Sequence, residues 1–235
     1  MAWSVEVRER VEYLKRGETS LWGNLYMPKG QGPFPCVVAI HGGGWRLATT
    51  DAFQYFAPWL AAQGYVVFTP TYTMAKKGQP SYPHAVQDLQ AAIRSLRGNA
   101  KEFRIIPGRV AAMGESAGGY FAAMLGLAGD EPQFAEKVGA HQDQPHSIKA
   151  AIPVYGIFDL PAQWRWDQLH RAGEHITDLY LGKSLLVDRK LYLEASPLTY
   201  VVTRPNQPAF LIAWGATDDV VNPETQAVPF FEALK

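Results

Sequence analysis

Gly114-Glu115-Ser116-Ala117-Gly118-Gly119 stands directly behind one apolar run, Val110–Met113, and opens another, Tyr120–Leu127. This is G-x-S-x-G placed between a strand and a helix, where flanking glycines allow a tight, strained turn that lifts the Ser116 hydroxyl clear of the sheet. The plainer alternative is a small-residue turn that only packs a helix on a strand. A second glycine run, His41-Gly42-Gly43-Gly44-Trp45, ends the apolar stretch Pro35–Ile40. Ligands of open α/β sheets bind at that edge. Three successive glycines leave backbone N–H groups uncovered, so two of them, with that of Ala117, could hold the oxyanion of an acyl-transfer intermediate. One such donor is worth about 10²–10³ in rate. A phosphate cradle is the rival, but no Gly-Lys-Ser/Thr follows and no dinucleotide fingerprint opens a helix. His41 reads as a structural histidine that fixes the loop. Together the two motifs point to acyl transfer from a serine nucleophile.

The elements that must position them follow from hydropathy. Val5–Tyr13 and Leu21–Tyr26 alternate apolar and polar residues and read as antiparallel edge strands. Pro35–Ile40, Tyr65–Phe68, Val110–Met113, Ile148–Tyr155 and Ala209–Trp214 are nearly continuous apolar runs, as expected of parallel strands covered on both faces. Helices are expected over Asp51–Gln63, which ends at Gly64, and over Tyr82–Arg97, which ends at Gly98. The reading is therefore an α/β fold in one domain over 1–235, with helices on both faces of a mostly parallel sheet. The Trp-, His- and charge-rich stretch 161–197 breaks the rhythm and reads as a helical insertion over the site. Trp45, Trp164 and Trp166 are candidate substrate contacts, with Tyr180 and Leu181 beside them. Plain helix packing is an equal alternative for the insertion residues.

Composition narrows the partners. The chain has 235 residues, 47% hydrophobic and 19% charged, with Lys+Arg and Asp+Glu both 22. Zero net charge with no basic block argues against nucleic acid or an anionic membrane. The single cysteine, Cys36, excludes an internal disulfide framework. No apolar run nears the ~20 residues of a membrane span, and the first ten residues are no signal peptide. A cytoplasmic domain acting on a small neutral molecule is expected. The chemistry asks for no cofactor, and no Cys/His spacing suggests a metal.

His41–Trp45 with Gly114–Gly119 resembles the α/β-hydrolase carboxylesterases of the hormone-sensitive-lipase-like group, most closely the branch of bifunctional feruloyl and acetyl-xylan esterases. The resemblance runs from Val5 to Lys235 through Arg109-Val110, Ser196–Val201 and Phe210–Val221. It implies oxyanion donors at Gly43, Gly44 and Ala117, a nucleophile at Ser116 and small acyl or aryl esters as substrates. The spacing of Gly215-Ala216-Thr217-Asp218 then selects Asp218 as the triad acid, with Asp219 and Asp159 as runners-up. Relatives often carry an arginine after the tyrosine of Thr71-Tyr72-Thr73-Met74, so no role passes to that loop. A formamidase-type amide hydrolase is a neighbouring expectation.

A serine triad also needs an imidazole to take and return the proton. In this fold the histidine comes last in the chain. All six histidines (His41, His84, His141, His146, His170 and His175) precede Asp218. In the final residues, Asn222 reads as a helix cap, Pro223 as its first turn and Pro229 as a kink. The expectation is a chain lacking the last strand, histidine loop and helix of the domain, with exposed apolar surface and, in consequence, association (as a homo-oligomer) or low solubility. His170 or His175 leaning over the pocket, or a histidine from a partner chain, are the alternatives for the base. A catalytically silent relative that binds a small ligand or a protein is the rival of another class.

Overall fold

Alternation along single strands shows how the sheet is buried. In strand β3 (Phe34–Ile40), Cys36, Val38 and Ile40 join one apolar cluster, and Val37 and Ala39 join another on the opposite face. A strand buried on both faces needs cover on both, and the helices that follow supply it. The computed structural model describes residues 2–47, 50–171, 173–201 and 207–235. Among them, β1 (Val5–Arg16), β2 (Thr19–Pro28), β3, β4 (Val66–Pro70), β5 (Ile105–Glu115), β6 (Ala150–Val154) and β7 (Ala209–Phe210) form one sheet in the order β1-β2-β4-β3-β5-β6-β7. β1 with β2, and β2 with β4, run antiparallel, and the remaining pairs run parallel. This is the mostly parallel α/β arrangement expected, with the antiparallel pair at one edge.

Helix α1 (Phe56–Ala62) covers the smaller cluster, with Ala57 and Ala61 against Val37, Ala39 and Val67. It is shorter than the expected 51–63 helix, because residues 50–53 wind as a 3-10 turn. On the other face, α2 (His84–Gly98) and α3 (Ala117–Leu127) fill the large cluster. The 161–197 stretch lies across three short helices, α4 (Leu160–His170), α5 (Ile176–Leu181) and α6 (Arg189–Glu194). Helix α7 (Ala227–Leu234) ends the described chain, with Phe230 stacked on Phe158 at 4.0 Å between ring centroids.

Two expectations change. Ala209–Trp214 is not a fully covered strand: only Ala209 and Phe210 pair regularly, Ala213 makes an isolated bridge to Val154, and Leu211 and Trp214 are exposed. β6 borders this segment on one side, and no described strand borders the other. The last helix begins at Ala227, since Asn222 caps a turn by accepting from the Thr225 N–H at 3.2 Å. Pro229 falls in its first turn, where a missing N–H costs nothing, so no kink arises. No helix among the described residues is long and apolar enough to cross a membrane.

Candidate active site

Ser116 sits between β5 and α3 with φ 53° and ψ −119°. That is left-handed backbone for a residue with a side chain, a strain of about 1–3 kcal/mol held by its surroundings. The holders are specific. The Ser116 N–H donates to the Val154 carbonyl at 3.0 Å, and its carbonyl accepts from the Tyr120 N–H at 3.0 Å. A Cβ on Gly118 would strike the Ile40 carbonyl, and one on Gly119 would lie 2.8 Å from the Gly156 Cα. These glycines are therefore needed for α3 to cross the strand ends so closely.

The glycine loop lies over this turn. A Cβ on Gly42 would stand 3.2 Å from the Ser116 Cβ. Gly43 and Gly44 have φ of 103° and 56°, conformations that glycine adopts without strain. No acceptor among the described residues takes the N–H of Gly43, Gly44 or Ala117. The Ala117 N–H is one of the orphan donors that open any helix. His41 is buried beneath the loop, its ring stacked on Tyr72 at 4.6 Å and its Nδ1 2.8 Å from the Gly42 carbonyl. That partner requires the hydrogen on Nδ1, and burial lowers the pKa, which favours the neutral ring. It props the loop.

Trp45 requires a correction. It has no exposed surface, stacking on Tyr180 at 4.5 Å and meeting the edge of Tyr120 at 5.2 Å. It anchors the loop in the core and is not a substrate contact. Tyr180 and Leu181 are likewise buried, and Trp164 packs against the same core.

The loop of Asp218, the candidate acid, follows β7. Asp218 Oδ1 accepts the N–H groups of Val220 and Val221, both at 2.9 Å, which fixes the carboxylate and leaves Oδ2 for another donor. Asp159 is spent as the cap of α4, accepting from the Ala162 N–H at 2.9 Å. Asp219 is held through its carbonyl by the Trp166 Nε1–H at 3.0 Å. Gln163 donates to the Val220 carbonyl at 3.0 Å, so α4 roofs the loop from above.

Two residues overlooked in the sequence join the parts. Glu115 accepts from the Gly42 N–H at 3.4 Å and from the Tyr155 hydroxyl at 2.6 Å. Burial, then the Glu115 carboxylate, pushes the Tyr155 hydroxyl up to about 12, so it stays a donor at working pH. Tyr155 also feels the Asp218 charge, and its N–H donates to the Ala213 carbonyl at 2.6 Å. An acidic residue beside the nucleophile was the available signal for Glu115. Tyr155 offered only its place at the end of a strand.

The histidines pair elsewhere. His84 lies beside Arg16 and Gln87, His141 beside Asn99, and His146 against Asp130 at 3.2 Å. His170 stacks on Trp166 at 3.8 Å, and His175 approaches Asp178 at 3.9 Å. None has Ser116 or Asp218 as a hydrogen-bond or ion-pair partner. Among the described residues, no group of three or more His, Cys, Asp or Glu could hold a metal ion.

The model of the BD-FAE family matches residues 24–234 of this chain. The chain belongs to that family. It is 29% identical to esterase LipC of Mycobacterium tuberculosis over 92% of this chain and 51% of LipC. It is 25% identical to an acetylxylan esterase of Xylanibacter ruminicola over 85% of this chain and 37% of that protein. Among solved structures, a truncated form of a carbohydrate esterase from gut microbiota superposes with a TM-score of 0.81 at 20% identity, covering 99% of this chain and 84% of that one. That likeness establishes the α/β-hydrolase fold for this BD-FAE member. The chain spans about half the length of the first curated relatives it matches, 51%, 46% and 46%.

Proposed function

We propose that the chain carries the nucleophile and oxyanion half of a serine carboxylester hydrolase acting on small acyl or aryl esters, of acetyl or feruloyl type. The observation that carries the reading is the strained Ser116 turn with three unclaimed N–H groups, of Gly43, Gly44 and Ala117, on the segments that flank it. Family membership and the esterase names of the relatives support it. Ser116 Oγ attacks the ester carbonyl and its proton passes to a base. The carbonyl oxygen becomes an oxyanion held by the three N–H groups, and the alkoxide leaves with the proton. Water then cleaves the acyl-enzyme. Asp218, with Oδ2 open, orients the imidazole that serves as base.

That imidazole is not supplied by any described contact of Ser116 or Asp218. We place it in sequence outside these 235 residues, on the open side of β7. The exposed Leu211 and Trp214 and the half-length match to relatives support this placement. Without a base, the oxyanion site and binding alone leave about 10³–10⁴ over water in other serine hydrolases.

The test is nitrophenolate release from p-nitrophenyl acetate by the chain and by Ser116→Ala. Slow release that disappears in the variant is expected. Equal release from both would contradict the reading and favour a silent relative that only binds ligands, which the missing imidazole would also suit.

A further inference from the structure

Next to the glycine loop is a concavity of about 480 Å³ that the ester chemistry does not use. Three segments wall it: Arg46 after the glycine loop, the turn of Lys76–Pro80, and the ends of α5 from His175 to Gly182. They are fastened together. The Ala75 N–H donates to the Trp45 carbonyl at 2.8 Å, and the N–H groups of Ser81 and Tyr82 donate to the Tyr180 carbonyl at 3.2 Å. Lys76 and Gln79 exchange backbone hydrogen bonds at 2.9 and 2.8 Å, closing a tight turn around Gly78, whose φ is 75°. The stacked pair of Trp45 and Tyr180 joins the same segments in the core below. A site built from tied segments is ready before its ligand arrives, which lowers the ordering cost of binding.

Its charge is lopsided in a chain whose net charge is zero. Arg46, Lys76 and Lys77 line it against one acid, Asp178. Asp178 is already engaged, accepting from the Tyr192 hydroxyl and facing His175. Arg46 is paired with Glu174 at 2.7 Å, but the ammonium groups of Lys76 and Lys77 have no partner among the described residues. Beside His175 and two glycines, the rest of the lining is apolar: Pro80, Leu179 and the aliphatic stems of the basic side chains. Two free cations above an apolar wall suit an anion carried on a hydrocarbon body.

The pocket is close to the reacting carbonyl. The Arg46 N–H donates to the Gly43 carbonyl at 3.2 Å, an i to i+3 turn. Such a turn brings its end Cα atoms within about 7 Å. A Cβ on Gly44 would lie 4.0 Å from Arg46 Nε. One molecule can therefore present its ester carbonyl to Gly43 and Gly44 and a charged group to the lysines.

We propose that this basic pocket binds the carboxylate of an organic acid, the charged part of an ester substrate that also carries an apolar body. Assigning the carboxylate to a substrate rests on the esterase reading; the binding itself does not. Isothermal titration at low ionic strength tests it with benzoate, benzamide and inorganic phosphate, because exposed lysines are screened by salt. Benzoate should bind at least tenfold more tightly than benzamide. Lys76→Ala/Lys77→Ala should remove most of that ratio, and so should raised salt. These are surface positions, so the double variant keeps its fold. Equal binding of benzoate and benzamide, or a ratio unchanged in the double variant, overturns the proposal. In the second case the carboxylate sits in the oxyanion site instead. Phosphate binding as tightly as benzoate overturns the organic-acid assignment and leaves a plain anion site. The two readings fail separately. A chain with no Ser116-dependent ester cleavage that still selects benzoate loses only the esterase reading, and one that cleaves ester without that selectivity loses only the pocket.

Discussion

Residues 117–125 of α3 are all buried, and the Ile40 strand end they cross has no exposed surface. In the acid loop, Gly215 to Val221, five of seven residues are exposed and the strand that delivers them pairs over two residues. The first region is held by sterics, because glycines let backbone touch backbone. The second is held by a few hydrogen bonds from α4 and by Asp218 bonding its own loop. Close packing fixes geometry without solvent competition, whereas exposed hydrogen bonds each contribute only about 1 kcal/mol. Ser116 and the N–H groups of Gly43, Gly44 and Ala117, the proposed nucleophile and oxyanion donors, are thus preorganised, and Asp218, the proposed acid, is lightly held.

The comparison can be broken most forcefully at Gly118. Gly118→Ala drives a methyl group into the Ile40 carbonyl and should cost on the order of 4 kcal/mol or more, seen as a large drop in Tm or loss of folded protein. A small drop would mean that the elbow is not sterically locked.

On the acid side, Asp167 lies buried in α4, accepting from Gln163 at 3.0 Å, and burial raises its carboxyl pKa to about 6. Between its unfolded value near 4 and about 6, the folded chain holds the proton more tightly than the unfolded one, so stability falls as pH rises through that window. Asp167→Asn should then add up to about 3 kcal/mol at neutral pH and flatten the slope between pH 4 and 6, measured by denaturant unfolding across pH. An unchanged slope would contradict the assignment.

A smaller effect isolates the roof over Asp218. Trp166→Phe removes the hydrogen bond to the Asp219 carbonyl and should cost about 1 kcal/mol, local to the acid loop. Hydrogen exchange should quicken over 215–221 and stay unchanged in α3. Equal changes in both regions would erase the distinction between them.

The same contrast explains what the sequence could reveal. The elbow and glycine loop were legible because their constraint is steric and local: only glycine fits, and it recurs at fixed spacing. The core strands themselves were legible as apolar runs, since burial on two faces writes itself into each strand, whereas their order in the sheet was not. Ala209–Trp214 misled because an apolar run reports the capacity for burial, and Leu211 and Trp214 have no described neighbour to bury them. Trp45 misled in the opposite direction, an aromatic beside a catalytic motif that turned inward to stack on Tyr180. Glu115 and Tyr155 meet across 40 positions, a pairing no local pattern announces. Zero net charge gave the expectation of a neutral ligand, and a sum over the chain cannot show that Lys76 and Lys77 gather around one pocket.

The most direct test of the account is where acetyl groups land when the chain meets p-nitrophenyl acetate. Ser116 should acylate while, with no histidine paired to it or to Asp218, water returns slowly, so an acetyl group should accumulate on Ser116 and be found there by peptide mass spectrometry. Acetylation scattered over lysines and histidines, the same in Ser116→Ala as in the native sequence, would contradict it.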